Sequence, residues 1–120
     1  MFYMRKAISL FSIFLCFVIS TNADAYIDRQ SAVVRIMNKA AGKVQLVTIP
    51  IGQNAKYEKL NLLVRSCKQT DPFDAEDYFM FIEVSKDDNG KIFSGWMSAN
   101  EPGDNPLQNP DYDLWLVKCE

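Results

Sequence analysis

Tyr78–Met97 reads YFMFIEVSKDDNGKIFSGWM, and it holds a strand, a turn and a return strand with no helical period in between. Tyr78 to Val84 is an aromatic and β-branched run of the kind that sits at the centre of a sheet. Ser85–Gly90, SKDDNG, is the clearest turn signal in the chain, and Asn89-Gly90 suits positive φ at both central positions of a tight hairpin. Lys91–Met97 is the return strand. Gly95 inside it marks a bulge, or a group packed close against the backbone.

The same pattern extends to both sides. Tyr26–Gln30 is a polar lead-in. Ser31–Met37 is a β-branched strand, Asn38–Gly42 a turn, and Lys43–Ile49 alternates, with Val44, Leu46 and Thr48 on one side and Gln45, Val47 and Ile49 on the other. Pro50 suits a strand end. Ala55–Leu60 could form one helical turn. In Lys59–Cys67, Leu60, Leu62 and Val64 share a face. Lys68–Asp77 breaks the pattern with a proline and four acids. Asn100–Asp111 has three prolines and three asparagines, which exclude a helix or an inner strand. Leu107 is the one strong hydrophobe of that loop and is expected to plug back onto the core. Tyr112–Cys119 is the last strand. Strict alternation puts Leu114, Leu116 and Lys118 on one side of it and Trp115, Val117 and Cys119 on the other. The expected fold is all-β: a small single-domain β-sandwich or partly open barrel of six to seven short, mostly antiparallel strands.

The first residues belong to a different class of segment. Met1–Lys6 carries two positive charges, Ala7–Ser20 is apolar, and Ala23 and Ala25 have the small-residue spacing that a signal peptidase accepts. Residues 1–25 are therefore expected to be a signal peptide and 26–120 a single β domain, exported to the periplasm. The apolar run is too short to span a bilayer, and no membrane span is expected after cleavage. Cys16 sits among Ile13, Phe14 and Leu15, which is not a lipoprotein setting. Two cysteines remain, Cys67 and Cys119, and an oxidising compartment makes them the one possible internal disulfide. The alternatives are free buried thiols or an intermolecular bond.

Of 13 Lys and Arg and 15 Asp and Glu, Arg5, Lys6 and Asp24 fall in the leader, which leaves the rest at a net charge of -3. There is no basic stripe, so nucleic acid is not an expected partner. The chain has 0 histidines, which removes every His-dependent triad and the commonest metal ligand. No zinc spacing, nucleophile elbow or phosphate loop is present. No catalytic residue, metal or cofactor is assigned. Asp71, Asp74, Glu76 and Asp77 read as a solvated loop surface, and their spacing does not match an EF-hand calcium loop. Glu83 interrupts an apolar strand, either on its solvent side or as a buried acid paired with Arg35 or Arg65. Trp96 and Trp115 are expected to fill the core, each indole burying a large area; the competing reading makes them, with Tyr112, an exposed sugar or peptide platform. Asp113 is expected to accept backbone N–H bonds and hold the preceding loop in shape.

Phe93-Ser94-Gly95-Trp96-Met97, Tyr112-Asp113-Leu114-Trp115 with Cys119, the Asn38-Lys39, Gly42-Lys43 and Pro50–Gly52 segments, and Cys67 together resemble an uncharacterised, domain-of-unknown-function family of small exported alphaproteobacterial proteins. The resemblance spans roughly Ala32 to Cys119. It implies an envelope protein and supplies no activity. The family pattern has a histidine before the proline that precedes the Tyr-Asp pair, where this chain has Asn109. The function expected is a non-enzymatic periplasmic binding or envelope-assembly module, with an envelope protein or peptidoglycan as partner. Its contacts are expected on the loop, at Asn100, Glu101, Asp104, Asn105 and Asn109. The alternatives are a glycan- or peptidoglycan-binding domain using exposed aromatics, and a histidine-free carboxylate hydrolase.

Overall fold

The computed structural model describes residues 26–87 and 89–120. The signal peptide expected over residues 1–25 lies outside them. Eight strands follow in order: β1 (Ile27–Asp28), β2 (Ser31–Asn38), β3 (Lys43–Pro50), β4 (Asn54–Tyr57), β5 (Leu60–Gln69), β6 (Tyr78–Lys86), β7 (Gly90–Ser98) and β8 (Tyr112–Cys119). There is no helix among the described residues. The first sheet runs β1-β5-β6-β7, with β4 also paired to β5; the second runs β3-β2-β8. Every pairing is antiparallel. The two sheets close face to face as a sandwich rather than a barrel.

Alternation decides what lies between the sheets. Ala32, Val34 and Ile36 of β2, Leu60, Leu62 and Val64 of β5, Met80, Ile82 and Val84 of β6, and Leu114 and Leu116 of β8 are buried in one core. Each large aliphatic side chain buried there contributes about 1.5–3 kcal/mol. Leu107, 3 % exposed, joins them from the long loop. Two elements depart from the sequence reading. The lead-in contributes β1, and residues 54–57 are a strand rather than a helical turn, because β4 finds hydrogen-bonding partners on β5. The β6–β7 connection is also longer than a two-residue turn. Asn89 N–H donates to the Lys86 carbonyl, and positive φ falls on Gly90. Gly90 pairs with Lys86, and the register of the hairpin shifts beyond it, where Ile92 is the extra residue on β7.

Two bulges bring the cysteines together. On β5, Val64 lies opposite Ile82 but Ser66 lies opposite Phe81, so Arg65 is the extra residue. On β8, Leu116 lies opposite Val34 but Lys118 lies opposite Val33, so Val117 is extra. A one-residue slip reverses which face each later side chain takes. Cys67 therefore turns inward after Val64, and Cys119 inward after Leu116. This corrects the alternation that grouped Cys119 with Trp115 and Val117. Cys67 and Cys119 form a disulfide across the two sheets, with their Cα atoms 5.6 Å apart.

Candidate functional site

The same alternation that fills the core sends a second set of apolar side chains outward. On β6, Phe79 and Phe81 point away from the core while Met80, Ile82 and Val84 point into it. Trp96 lies opposite Phe81 on β7, and the two rings meet edge to face at 5.4 Å. Tyr26, from the lead-in, meets Phe79 edge to face at 5.7 Å. Tyr26, Lys68, Phe79 and Trp96 line a shallow recess of about 300 Å³. Trp96 is 44 % exposed, which overturns its placement in the core. The core has no room for it, because Met97 takes the inward position of that hairpin.

Charges rim this aromatic face. Lys68 Nζ lies 2.7 Å from Asp28 on the β1 side. Arg65 Nε lies 3.2 Å and Lys91 Nζ 3.7 Å from the Glu83 carboxylate. Arg65, then Lys91, hold the Glu83 carboxyl below the ordinary carboxylate range. Glu83 thus pairs with Arg65 on the outer face, and Arg35 lies on the other sheet.

The second sheet has an outer face of its own. Trp115 lies opposite Arg35, whose guanidinium carbon stands 5.8 Å from the indole centroid. Trp115 is half-buried by this contact rather than by the core. Beside it, Val44 and Leu46 of the edge strand β3 are 52 % and 55 % exposed. The two tryptophans therefore lie on opposite outer faces and cannot form one platform. Tyr112, the third aromatic of that reading, is buried; its ring meets Tyr57 and its hydroxyl donates to Glu58.

The loop residues proposed for recognition are largely turned inward to the chain itself. Asn100 Nδ2 donates to the Glu76 carbonyl and Asn100 N–H to Asp77. Asn105 Nδ2 donates to the Trp96 carbonyl at 3.0 Å. Asn109 Oδ1 accepts the N–H groups of Asp111 and Tyr112. Holding the loop end is therefore the work of Asn109, not of Asp113, which pairs with Lys39 at 3.4 Å. Gly95 is explained by Asn105: a Cβ at position 95 would stand 2.8 Å from its Nδ2. Among the four loop acids, Asp77 also serves the fold, accepting from Ser98 and Asn100. Glu101 and Asp104 are exposed, and Asp104 beside it lifts the Glu101 carboxyl.

A polar groove of about 540 Å³ opens where β4–β5 meets the ends of β2 and β8. Glu58 sits in it with φ 53°, an unusual angle for a side chain with a Cβ. Its carboxylate accepts from Asn38 Nδ2 at 2.8 Å and from the Tyr112 hydroxyl at 3.1 Å. Lys86 on the same groove holds the Asp111 carboxyl down, the opposite of what a general acid requires. No group of three or more metal-ligating side chains occurs among the described residues.

Residues 32–119 match a family model described as "Uncharacterized protein conserved in bacteria (DUF2155)". The chain belongs to this family. No curated protein and no solved structure matches it. Within this family member, the aromatic face escaped the sequence reading except for Trp96. The available signal was that both sides of β6 are apolar, as both sides of β8 are.

Proposed function

We propose that the protein is a non-enzymatic binding and assembly module of the bacterial cell envelope, exported after removal of residues 1–25, that contacts partners through the outer faces of its sandwich. The observation that carries this reading is the exposure of Trp96 beside Phe81, Phe79 and Tyr26, inside a rim of paired charges. A desolvatable aromatic centre within a polar rim is the usual anatomy of a protein interface. The absence of histidine supports a role without catalysis. The inward bonding of Asn100, Asn105 and Asn109 supports moving the contact surface from the loop to the sheet.

The test is to replace Trp96 by Ser and follow the native size of the protein in envelope extracts. The variant is expected to melt within a degree or two of the parent, and to migrate as free protein where the parent migrates in a larger complex. An unchanged complex in the folded variant would contradict the reading. Glycan binding remains the second reading, favoured by the same exposed indole. Quenching of Trp96 fluorescence by muropeptides, in a protein that keeps its complex, would put it first.

A further inference from the structure

The sandwich guards its edges unequally. The free side of β5 is occupied by β1 and β4, which are short. The β7 edge has the Asn105 side chain bonded to the Trp96 carbonyl. β3 has eight residues at the edge of the second sheet, and Lys43, Val44, Gln45, Leu46, Thr48 and Pro50 are all exposed. From Val44 to Gly52 the sequence VQLVTIPIG carries no charge. Natural edge strands are normally kept apart by charge, proline, shortness or a cover. On β3 only the terminal residues, Lys43 and Pro50, serve in that way. The edge therefore offers unpaired backbone groups along its middle, flanked by half-exposed Val44 and Leu46.

We propose that β3 pairs with β3 of a second copy of this chain, antiparallel about a twofold axis through Leu46, to make one continuous sheet from two three-stranded ones. The strand is its own complement in this register. Leu46 faces Leu46, Val44 faces Thr48, Gln45 faces Val47, and the one charge, Lys43, faces Ile49. No like charges oppose each other, and Pro50, which has no N–H, stays outside the ladder. A shift of one pair toward the C-terminus would bring Pro50 opposite Val44 and lose a donor. The side chains at 44, 46 and 48 of both copies then share the outer face that carries Trp115. This inference names an occupant for the second sheet's side of the proposed module and rests on that reading only there.

The test uses protein expressed from the full sequence, its molar mass measured by light scattering and sedimentation. The parent is expected to show twice the chain mass. Leu46→Lys and Leu46→Glu, both at an exposed outer position, are expected to keep the parent's melting temperature and to run as monomers. Mixing the two variants in equal amounts is expected to restore the doubled mass, because the lysine of one copy then faces the glutamate of the other. A monomeric parent at its highest soluble concentration would overturn the proposal. So would a Leu46→Lys variant that stays dimeric, or a mixture that stays monomeric. Trp96→Ser serves as the separating control. If it keeps the doubled mass but leaves the envelope complex, both readings stand. If it alone abolishes the dimer, the copies meet on the aromatic face and β3 pairing is wrong. If it keeps both the dimer and the complex, β3 pairing stands and the aromatic-face reading fails.

Discussion

Gly95 is confined to glycine by a neighbour and not by its own dihedral angles, which are not in the positive-φ region. A methyl group there would push Asn105 Nδ2 off the Trp96 carbonyl. Gly95→Ala should therefore destabilise by about 1 kcal/mol, the usual net worth of one hydrogen bond. Asn105→Ala should have a similar effect. The double variant should be no worse than either single one, and chemical denaturation of all three checks this; additive losses would show the two residues to be independent. Leu107→Ala should cost about 2–5 kcal/mol, because the side chain is buried and its loop has no other strong hydrophobe to refill the space. The need for a small residue at 95 and for a plug at 107 was legible in the sequence. The partner of Gly95 was not, since a loop residue ten positions on cannot be placed against a strand without knowing how the loop folds back. The tryptophans illustrate the same limit. An indole is apolar enough to suit a core, but its parity along the strand, set by Met97 and by Leu114 and Leu116, sends it outward.

At the level of strands, the period-2 patterns over β2, β3, β5, β6, β7 and β8 were sufficient to locate them. β1 and β4 were missed because two and four residues make almost no pattern, and their pairing with β5 is non-local. The bulges at Arg65 and Val117 were equally invisible: neither has a glycine or any local mark, and only the opposing strand reveals the slip. They have a direct consequence. Deleting Val117 should remove the β8 bulge and leave plain alternation from Leu116 through Lys118 to an inward Cys119, so the disulfide should still form; two maleimide-reactive thiols in that variant would show that the extra residue is needed for the pairing. Ion pairs tie strands and turns together in a pH-dependent way. Glu83 with Arg65, Asp87 with Lys56 and Asp111 with Lys86 all have carboxyls held below their ordinary range. A depressed folded-state pKa contributes stability above the unfolded value, and that contribution is lost as pH falls through the folded value. Melting temperature should thus decline as pH drops below roughly 4. It should stay nearly flat from about pH 5 to 8, where a chain with 0 histidines has no ordinary side chain to titrate. A step in that upper window would point to a strongly shifted group elsewhere.

Taken whole, the molecule is two sheets joined by one covalent tie and bare on both outer faces. The Cys67–Cys119 bond closes a separation of 52 residues. On the chain-entropy estimate it contributes about 4 kcal/mol, so replacing both cysteines with serine should lower the unfolding free energy by about that amount without abolishing the fold. The all-β class and the candidate cysteine pair could be read from the chain because composition and local period determine them. The proposed binding surface could not. It depends on which side of each sheet the other sheet covers, and that choice belongs to the assembled fold. Trp96 and Trp115 stand on those two uncovered sides, and the decisive experiment is photo-crosslinking in living cells from a reactive amino acid placed at 96 or at 115, with the exposed loop position 108 as control. If both faces bind, adducts form from 96 and from 115, differ in mass, and exceed those from 108. Equal, background-level adducts from all three positions would mean that neither outer face is where this protein works.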